Sequence, residues 1–171
     1  SSNGTALDGI TVLNGSFTNI TIQNCHFDNF SRSAVGFNGS GNNSLVKNNN
    51  FTQFSSSGIL LRLDVENITI LDNTFNSSFA NSNALQIASA VNVTVRNNTF
   101  NTVGNGIFFG GNVANSAINI SIEENRYVAT ETGVRLNNLS QYVNVTFRNE
   151  NISGSLRAYN ILSRGLNVLF I

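Results

Sequence analysis

Six residues recur at near-constant spacing along this chain: Phe27, Phe51, Phe75, Phe100, Tyr127 and Ile152. The steps between them are 24, 24, 25, 27 and 25 residues, and eight residues before each stands an asparagine: Asn19, Asn43, Asn67, Asn92, Asn119 and Asn144. A single irregular core imposes no such register. A solenoid does, because each coil climbs one strand spacing and must bring the same side chain to the same place. The 171 residues are therefore read as one all-β domain of six to seven coils at about 25 residues per coil. The coils are regular over about 10–152, with an atypical coil and terminal strand over 153–171.

Aligned on those anchors, the repeats read ITIQNCHF, SLVKNNNF, ITILDNTF, VTVRNNTF, ISIEENRY and VTFRNENI. The positions five and seven before the anchor are apolar and mostly β-branched, as in Ile68 and Ile70 or Val93 and Val95, with Thr or Ser between them. This period of two marks a strand with one buried face. Ser44 and Leu45 invert the pattern in the second repeat, which puts the local register there in question. A second apolar segment follows each anchor: SAVGF, SGILL, NALQI, NGIFF and TGVRL. Its small residue (Ala34, Gly58, Ala84, Gly106 or Gly133) is expected to let the chain bend.

Asparagines also fill the positions three before the anchor (Asn24, Asn48, Asn97, Asn149) and two before it (Asn49, Asn73, Asn98, Asn125). Asparagine tolerates left-handed backbone and, stacked coil on coil, can form an amide ladder, so these residues are read as structural. Cys25 holds the ladder position in its repeat. It has no second cysteine to pair with and is expected to be a small packed residue.

The formal net charge is zero, from nine basic and nine acidic residues. That balance gives no basis for steering toward nucleic acid or an anionic lipid surface. No apolar run is long enough for a membrane span. The absence of methionine, even at position 1, fits either a processed chain or a fragment.

With so few charges, solubility needs another source. Asn-x-Ser/Thr occurs fifteen times, at Asn3, Asn14, Asn19, Asn29, Asn38, Asn42, Asn50, Asn67, Asn76, Asn92, Asn97, Asn119, Asn138, Asn144 and Asn151. Composition alone would give about six such tripeptides. Part of the excess is repeat inheritance, since the strand start Asn-Ile-Thr generates Asn19 and its equivalents together. Either these columns are a plain turn-and-strand signature, or they carry covalent N-glycans that cover a neutral surface outside the cell.

The repeat I-T-I-x-N-N-x-F followed by G-I-x-L, matched from about Ile10 to Asn151, resembles that of pectin-lyase-like proteins. The resemblance implies a right-handed parallel β-helix with three sheets along its faces. It leaves function open, because that superfamily includes polysaccharide lyases and hydrolases, tailspikes, sugar-binding proteins, adhesins and surface-layer components.

Hydrolases of this kind resemble one another in Asn-Thr-Asp, Asp-Asp, Gly-His-Gly and Arg-Ile-Lys motifs, none of which occurs here. The acids are scattered. The densest group is Arg62, Asp64, Glu66 and Asp72, where alternation along a strand would set the first three on one face as an ion-pair strip. Glu123, Glu124 and Arg126 are read in the same way, and His26 as a lone outward side chain. Phe30, Phe54 and Phe79 are read as a core stack. No metal-ligand spacing or cofactor loop is visible, and no catalytic residue is assigned.

The ends of the chain carry the functional expectation. No amphipathic capping helix is visible, and Leu166, Asn167, Val168, Leu169, Phe170 and Ile171 form an apolar strand facing, in a stack, the early strand that holds Ile10 and Val12. Uncapped coil edges favour head-to-tail pairing, and a heterologous contact of that kind grows into a fibre. The chain is thus expected to be a non-enzymatic subunit of a glycosylated extracellular filament, sheath or cell coat, its partners being further copies of itself. A carbohydrate-binding or adhesive module, with a polysaccharide partner, is the alternative; a polysaccharide lyase or hydrolase with an atypical site is the next.

Overall fold

In a computed structural model the described residues are 8–13, 17–39, 41–111, 116–128, 130–137, 141–162 and 167–171, and their regular structure is entirely β. Strand β1 (Ile10–Val12) precedes a first coil of β2 (Thr21–Gln23), β3 (His26–Phe30) and β4 (Ser33–Asn38). The second coil is β5 (Ser44–Lys47), β6 (Asn50–Phe54) and β7 (Ser57–Arg62). The third adds the two-residue β8 (Val65–Glu66) before β9 (Ile68–Leu71), β10 (Thr74–Ser77) and β11 (Asn83–Ile87). The fourth is β12 (Ala90–Arg96), β13 (Thr99–Thr102) and β14 (Asn105–Phe109). The fifth is β15 (Ser116–Glu123), β16 (Arg126–Val128) and β17 (Thr132–Leu136). The sixth is β18 (Gln141–Arg148), β19 (Asn151–Ser153) and β20 (Arg157–Ile161), and β21 (Val168–Phe170) opens a further turn.

Like strands of successive coils pair in parallel and build three sheets of eight, six and seven strands, the first running β2 to β21, the second β3 to β19 and the third β1 to β20. The anchors meet one to one: Phe27 lies opposite Phe51, Phe51 opposite Phe75, Phe75 opposite Phe100, Phe100 opposite Tyr127, and Tyr127 opposite Ile152. The aromatic members form a buried column with ring centroids 4.7 to 5.2 Å apart. That interval is the strand spacing itself, so the sheet sets the stack. Around it the inward residues of the other sheets, such as Ile59, Leu85, Ile107, Ile70, Val95 and Ile122, are fully buried. Ser44 takes an inward position opposite Ile68, and its Oγ accepts from the Ile20 N–H at 2.9 Å, so the inverted pattern changes the side chain but not the register.

Two left-handed columns run along the eight-stranded sheet. The first lies just before β2, β5, β9 and β21 and inside the longer β12, β15 and β18, and holds Asn19, Asn43, Asn67, Asn92, Asn119, Asn144 and Asn167, with φ between 52° and 57°. The second, at the corner after β2, β5, β9, β12, β15 and β18, holds Asn24, Asn48, Asp72, Asn97, Glu124 and Asn149, with φ between 53° and 57°. Asparagine bears this conformation at least cost among residues with a Cβ, which explains the first column being asparagine throughout. It also shows that Asn167 holds, twenty-three residues on, the left-handed position that Asn144 holds, with Val168 opposite Val145 and Phe170 opposite Phe147.

The small-residue column acts differently from the bend expected of it. Gly58, Gly106 and Gly133 lie within strands, none at a positive φ. A Cβ on Gly106 would stand 2.5 Å from the Tyr127 ring and 2.6 Å from the Gly133 carbonyl oxygen; on Gly58 it would stand 2.7 Å from both the Phe75 ring and the Ala84 carbonyl. Close approach between coils and anchor rings is the reason for these glycines.

Candidate assembly faces and glycosylation columns

Two amide ladders run along the solenoid. In the inner, buried one the Asn49 side-chain NH2 donates to Asn73 Oδ1, Asn73 to Asn98 and Asn98 to Asn125, each at 3.0 Å. Each Oδ1 also accepts the backbone N–H of the residue one coil earlier: Cys25 to Asn49, Asn49 to Asn73, Asn73 to Asn98 and Asn98 to Asn125. The second amide hydrogens reach the carbonyls of Ile22, Val46, Ile70 and Val95. Every polar atom of these buried side chains is thereby satisfied without a ligand, as their structural reading requires.

Sequence reasoning missed how this ladder ends. Glu150 holds the same position, two before Ile152, and its carboxylate accepts from the Asn125 backbone N–H at 3.1 Å, from Asn125 Nδ2 at 3.2 Å and from the Tyr127 hydroxyl at 2.6 Å. An acceptor-only group suits a terminus that receives donors and passes none on. Burial pushes the Glu150 carboxyl above its usual range, with the donors from Tyr127 and Asn125 opposing the shift. The signal was available, since Cys25, Asn49, Asn73, Asn98, Asn125 and Glu150 form one column of the repeat. At the other end Cys25 is exposed, contrary to the packed position expected for it.

The outer ladder is the column eight residues before the anchors, whose members other than Asn43 are sequons. Asn67 Nδ2 donates to Asn43 Oδ1 at 2.9 Å, Asn92 to Asn67 at 3.1 Å, Asn119 to Asn92 at 3.0 Å and Asn144 to Asn119 at 3.0 Å. Of the fifteen sequon asparagines, Asn3, Asn14 and Asn138 lie outside the described residues. Ten of the rest are exposed: Asn19, Asn29, Asn50, Asn67, Asn76, Asn92, Asn97, Asn119, Asn144 and Asn151. Asn42 is half-buried, its Oδ1 accepting the Glu66 N–H. Asn38 is buried and accepts from the Arg62 guanidinium, so its amide is not available on the surface.

The charged group around Arg62 does not converge. Leu63 and Asp64 are both left-handed, which breaks the alternation that would have aligned Arg62, Asp64 and Glu66. Asp64 accepts from the Ser89 hydroxyl instead. Asp72 lies 3.9 Å from Lys47 Nζ and accepts from Asn97 at 2.7 Å. Glu124 pairs with Arg96 at 3.0 Å, while Glu123 accepts from the Ser121 hydroxyl. His26 is exposed and its Nε2 lies 3.0 Å from the Thr52 hydroxyl. Among the aromatics read as a core stack, Phe54 is buried, Phe30 half-buried and Phe79 exposed on a loop.

The end coils differ from the middle. Among the described residues, nine of the twelve large exposed apolar side chains lie in them: Ile10, Leu13 and Phe17 at one end, and Leu156, Ile161, Leu162, Leu169, Phe170 and Ile171 at the other. Phe170 stacks on Phe147 at 5.0 Å and 10°, yet is 43% exposed, because no further coil covers its outer side among the described residues. Of the interface residues expected from sequence, Ile10, Asn167, Leu169, Phe170 and Ile171 are exposed, Val168 is half-buried, Val12 is buried, and Leu166 lies outside the described residues.

No curated protein matches the chain. The family model described as the right handed beta helix region matches residues 2–119, more than half of the sequence. With three parallel sheets, a stacked anchor column and this match, the chain belongs to the right-handed β-helix family.

Proposed function

We propose that this β-helix is a non-enzymatic structural subunit outside the cell, joined end to end with further copies of itself and covered along its sides by N-glycans. The observation that carries the reading is that successive described coils are joined by parallel strand pairing over fully buried inward side chains, a mode of contact that a coil of another copy can continue. Exposed strand edges with apolar flanks are templates for another chain. A β-helix edge accepts a parallel strand most directly from another β-helix edge.

The sides support the second half of the proposal. Ten exposed sequon asparagines are spread over corners and outward strand positions. A ladder asparagine uses one amide hydrogen for its neighbour, and a primary amide has a second to give up to a sugar. The dispersal of the acids, several of them bonded to donors on neighbouring coils rather than to one another, supports a role without catalysis.

Sedimentation and electron microscopy of the native protein test the assembly. Concentration-dependent polymers about one β-helix wide are expected, and a monomer at high concentration removes the proposal. Intact mass tests the glycans: a native protein of bare 18.4 kDa excludes them.

A further inference from the structure

We infer that N-glycan transfer to this chain precedes the closing of its coils, because each exposed sequon is held in the folded solenoid by its own middle residue. The inference rests on the glycan reading and adds the order in which modification and folding occur. After each of the ten exposed sequon asparagines comes a residue packed against or within the core. Phe51, Ile68, Val93, Asn98, Ile120 and Val145, which follow Asn50, Asn67, Asn92, Asn97, Asn119 and Asn144, are all buried. Ser77, after Asn76, is buried and donates its Oγ–H to the Phe54 carbonyl at 2.9 Å. Ile20, Phe30 and Ile152, after Asn19, Asn29 and Asn151, are partly buried against the core.

The hydroxyl residue two after the asparagine is no freer. Thr69 is paired with Leu45 on one side and Thr94 on the other. The same column continues from Thr94 to Ser121 and from Ser121 to Thr146. On the six-stranded sheet Thr52 lies between Asp28 and Asn76, and Thr99 between Thr74 and Arg126. For the sequon that starts at Asn97 the middle residue is Asn98, itself a rung of the inner ladder.

Transfer joins the asparagine Nδ2 to the anomeric carbon of an oligosaccharide carried on a lipid pyrophosphate. The bond from that carbon to the pyrophosphate oxygen breaks, the pyrophosphate leaves with the electron pair, and one amide proton passes to base. A catalyst that reads both the asparagine and the hydroxyl two residues on must take three consecutive residues into its own cleft. The folded solenoid cannot present them in that way. Lifting residues 67–69 out of their sheet withdraws Ile68 from the core and breaks strand pairing on both sides. Segments of this kind open only at a free energy close to that of global unfolding.

The unfolded chain presents the same tripeptides freely, which makes it the acceptor. A sugar already fixed on Asn67 then excludes the one-residue slip that would turn it inward. Asn38 shows the cost of this order. It is buried against Arg62 in the fold, yet as open as the others in the unfolded chain, and a sugar there cannot be accommodated once β4 has closed on β7.

Transfer assays on the full chain test the order. The chain, made without glycans and folded, is offered to an Asn-x-Ser/Thr transferase with its lipid-linked oligosaccharide. In a second arm the same enzyme and donor are present while the chain is translated. An unstructured Asn-Ile-Thr tail appended to the chain serves as an internal acceptor in both arms, and glycopeptide mass spectrometry reads each site. The tail is expected to be modified in both arms, and the ten exposed sequons during translation only. Transfer in the folded arm to Asn67, Asn92 and Asn119, or to the buried Asn38, at the level reached during translation overturns the order. If the tail alone is modified in both arms, the sequons are not acceptors and the glycan reading itself has failed.

Discussion

Tyr127 donates its hydroxyl to Glu150 across 2.6 Å, and this bond ties the aromatic column to the end of the inner asparagine ladder. Tyr127 is fully buried and is the last ring of the column, 5.0 Å from Phe100. Its hydroxyl needs an acceptor at a depth where water cannot serve. The ladder needs an acceptor for Asn125 at the same height. One carboxylate meets both demands.

Glu150 should make stability depend on pH in the acid range. Burial raises its folded-state pKa, Glu123 adds to the rise, and the donors from Tyr127 and Asn125 moderate it. The folded protein therefore holds this proton to higher pH than the unfolded chain does. The sign follows: Glu150's contribution is greatest below the ordinary glutamate pKa of about 4.3 and is lost as pH rises through the raised value. Glu150→Gln keeps an acceptor and removes the titration. Urea midpoints from pH 4 to 7 should fall less steeply in the variant than in the native protein, and equal slopes would refute the assignment.

The tyrosines act at the other extreme. Burial raises Tyr127 well above the usual range, with the Glu150 charge adding to the effect, and burial also raises Tyr142 and Tyr159. Above about pH 10 the unfolded chain releases these protons while the folded chain keeps them, so stability falls as pH rises. Thermal midpoints should drop between pH 9 and pH 11. Tyr142→Phe, which loses the hydroxyl bonded to the Asn137 carbonyl at 2.5 Å, should show a smaller drop. An unchanged pH response would argue that Tyr142 ionises normally in the fold.

Most of this architecture was legible because a solenoid writes its spatial neighbours at fixed intervals in the sequence. Phe51 and Phe75 are 24 residues apart in the chain and stacked at 4.7 Å in space, so the period is itself a contact map. What the period does not carry is direction. It could not tell that Gly106 makes room for Tyr127 rather than for a bend, since both readings ask for glycine. Nor could alternation along Arg62 to Glu66 anticipate two left-handed residues within it. Glu150 went unrecognised because a carboxylate among asparagines reads as a break in the column until its donors are seen.

The two ladders look alike in sequence and should differ in energetic weight. Asn98→Ala leaves the Asn73 backbone and side-chain donors without their acceptor, and the Ile70 carbonyl without a donor, all in a buried setting. A loss of about 4 kcal/mol is expected at this site. Asn92→Ala removes exposed bonds and places alanine at a left-handed position, for about 1–2 kcal/mol. Denaturant unfolding of both variants would measure the gap. Similar losses would mean that left-handed conformation, and not buried pairing, dominates both columns.

Gly106→Ala separates the close-approach role of the small-residue column from a conformational one. Gly106 has no positive φ, so alanine suits its backbone, and a purely conformational role predicts little change or a slight gain. The added methyl would stand 2.5 Å from the Tyr127 ring and 2.6 Å from the Gly133 carbonyl. The carbonyl is held in the inter-coil sheet, and the ring is held between Phe100 and the Glu150 bond, so neither can yield freely. Overpacking of this kind costs about 2–3 kcal/mol. Ala84→Gly, in the same column, removes a methyl already accommodated and should cost only about 1 kcal/mol. A second readout distinguishes strain from simple instability: near-ultraviolet circular dichroism should change for Gly106→Ala, whose methyl displaces Tyr127, and stay unchanged for Ala84→Gly.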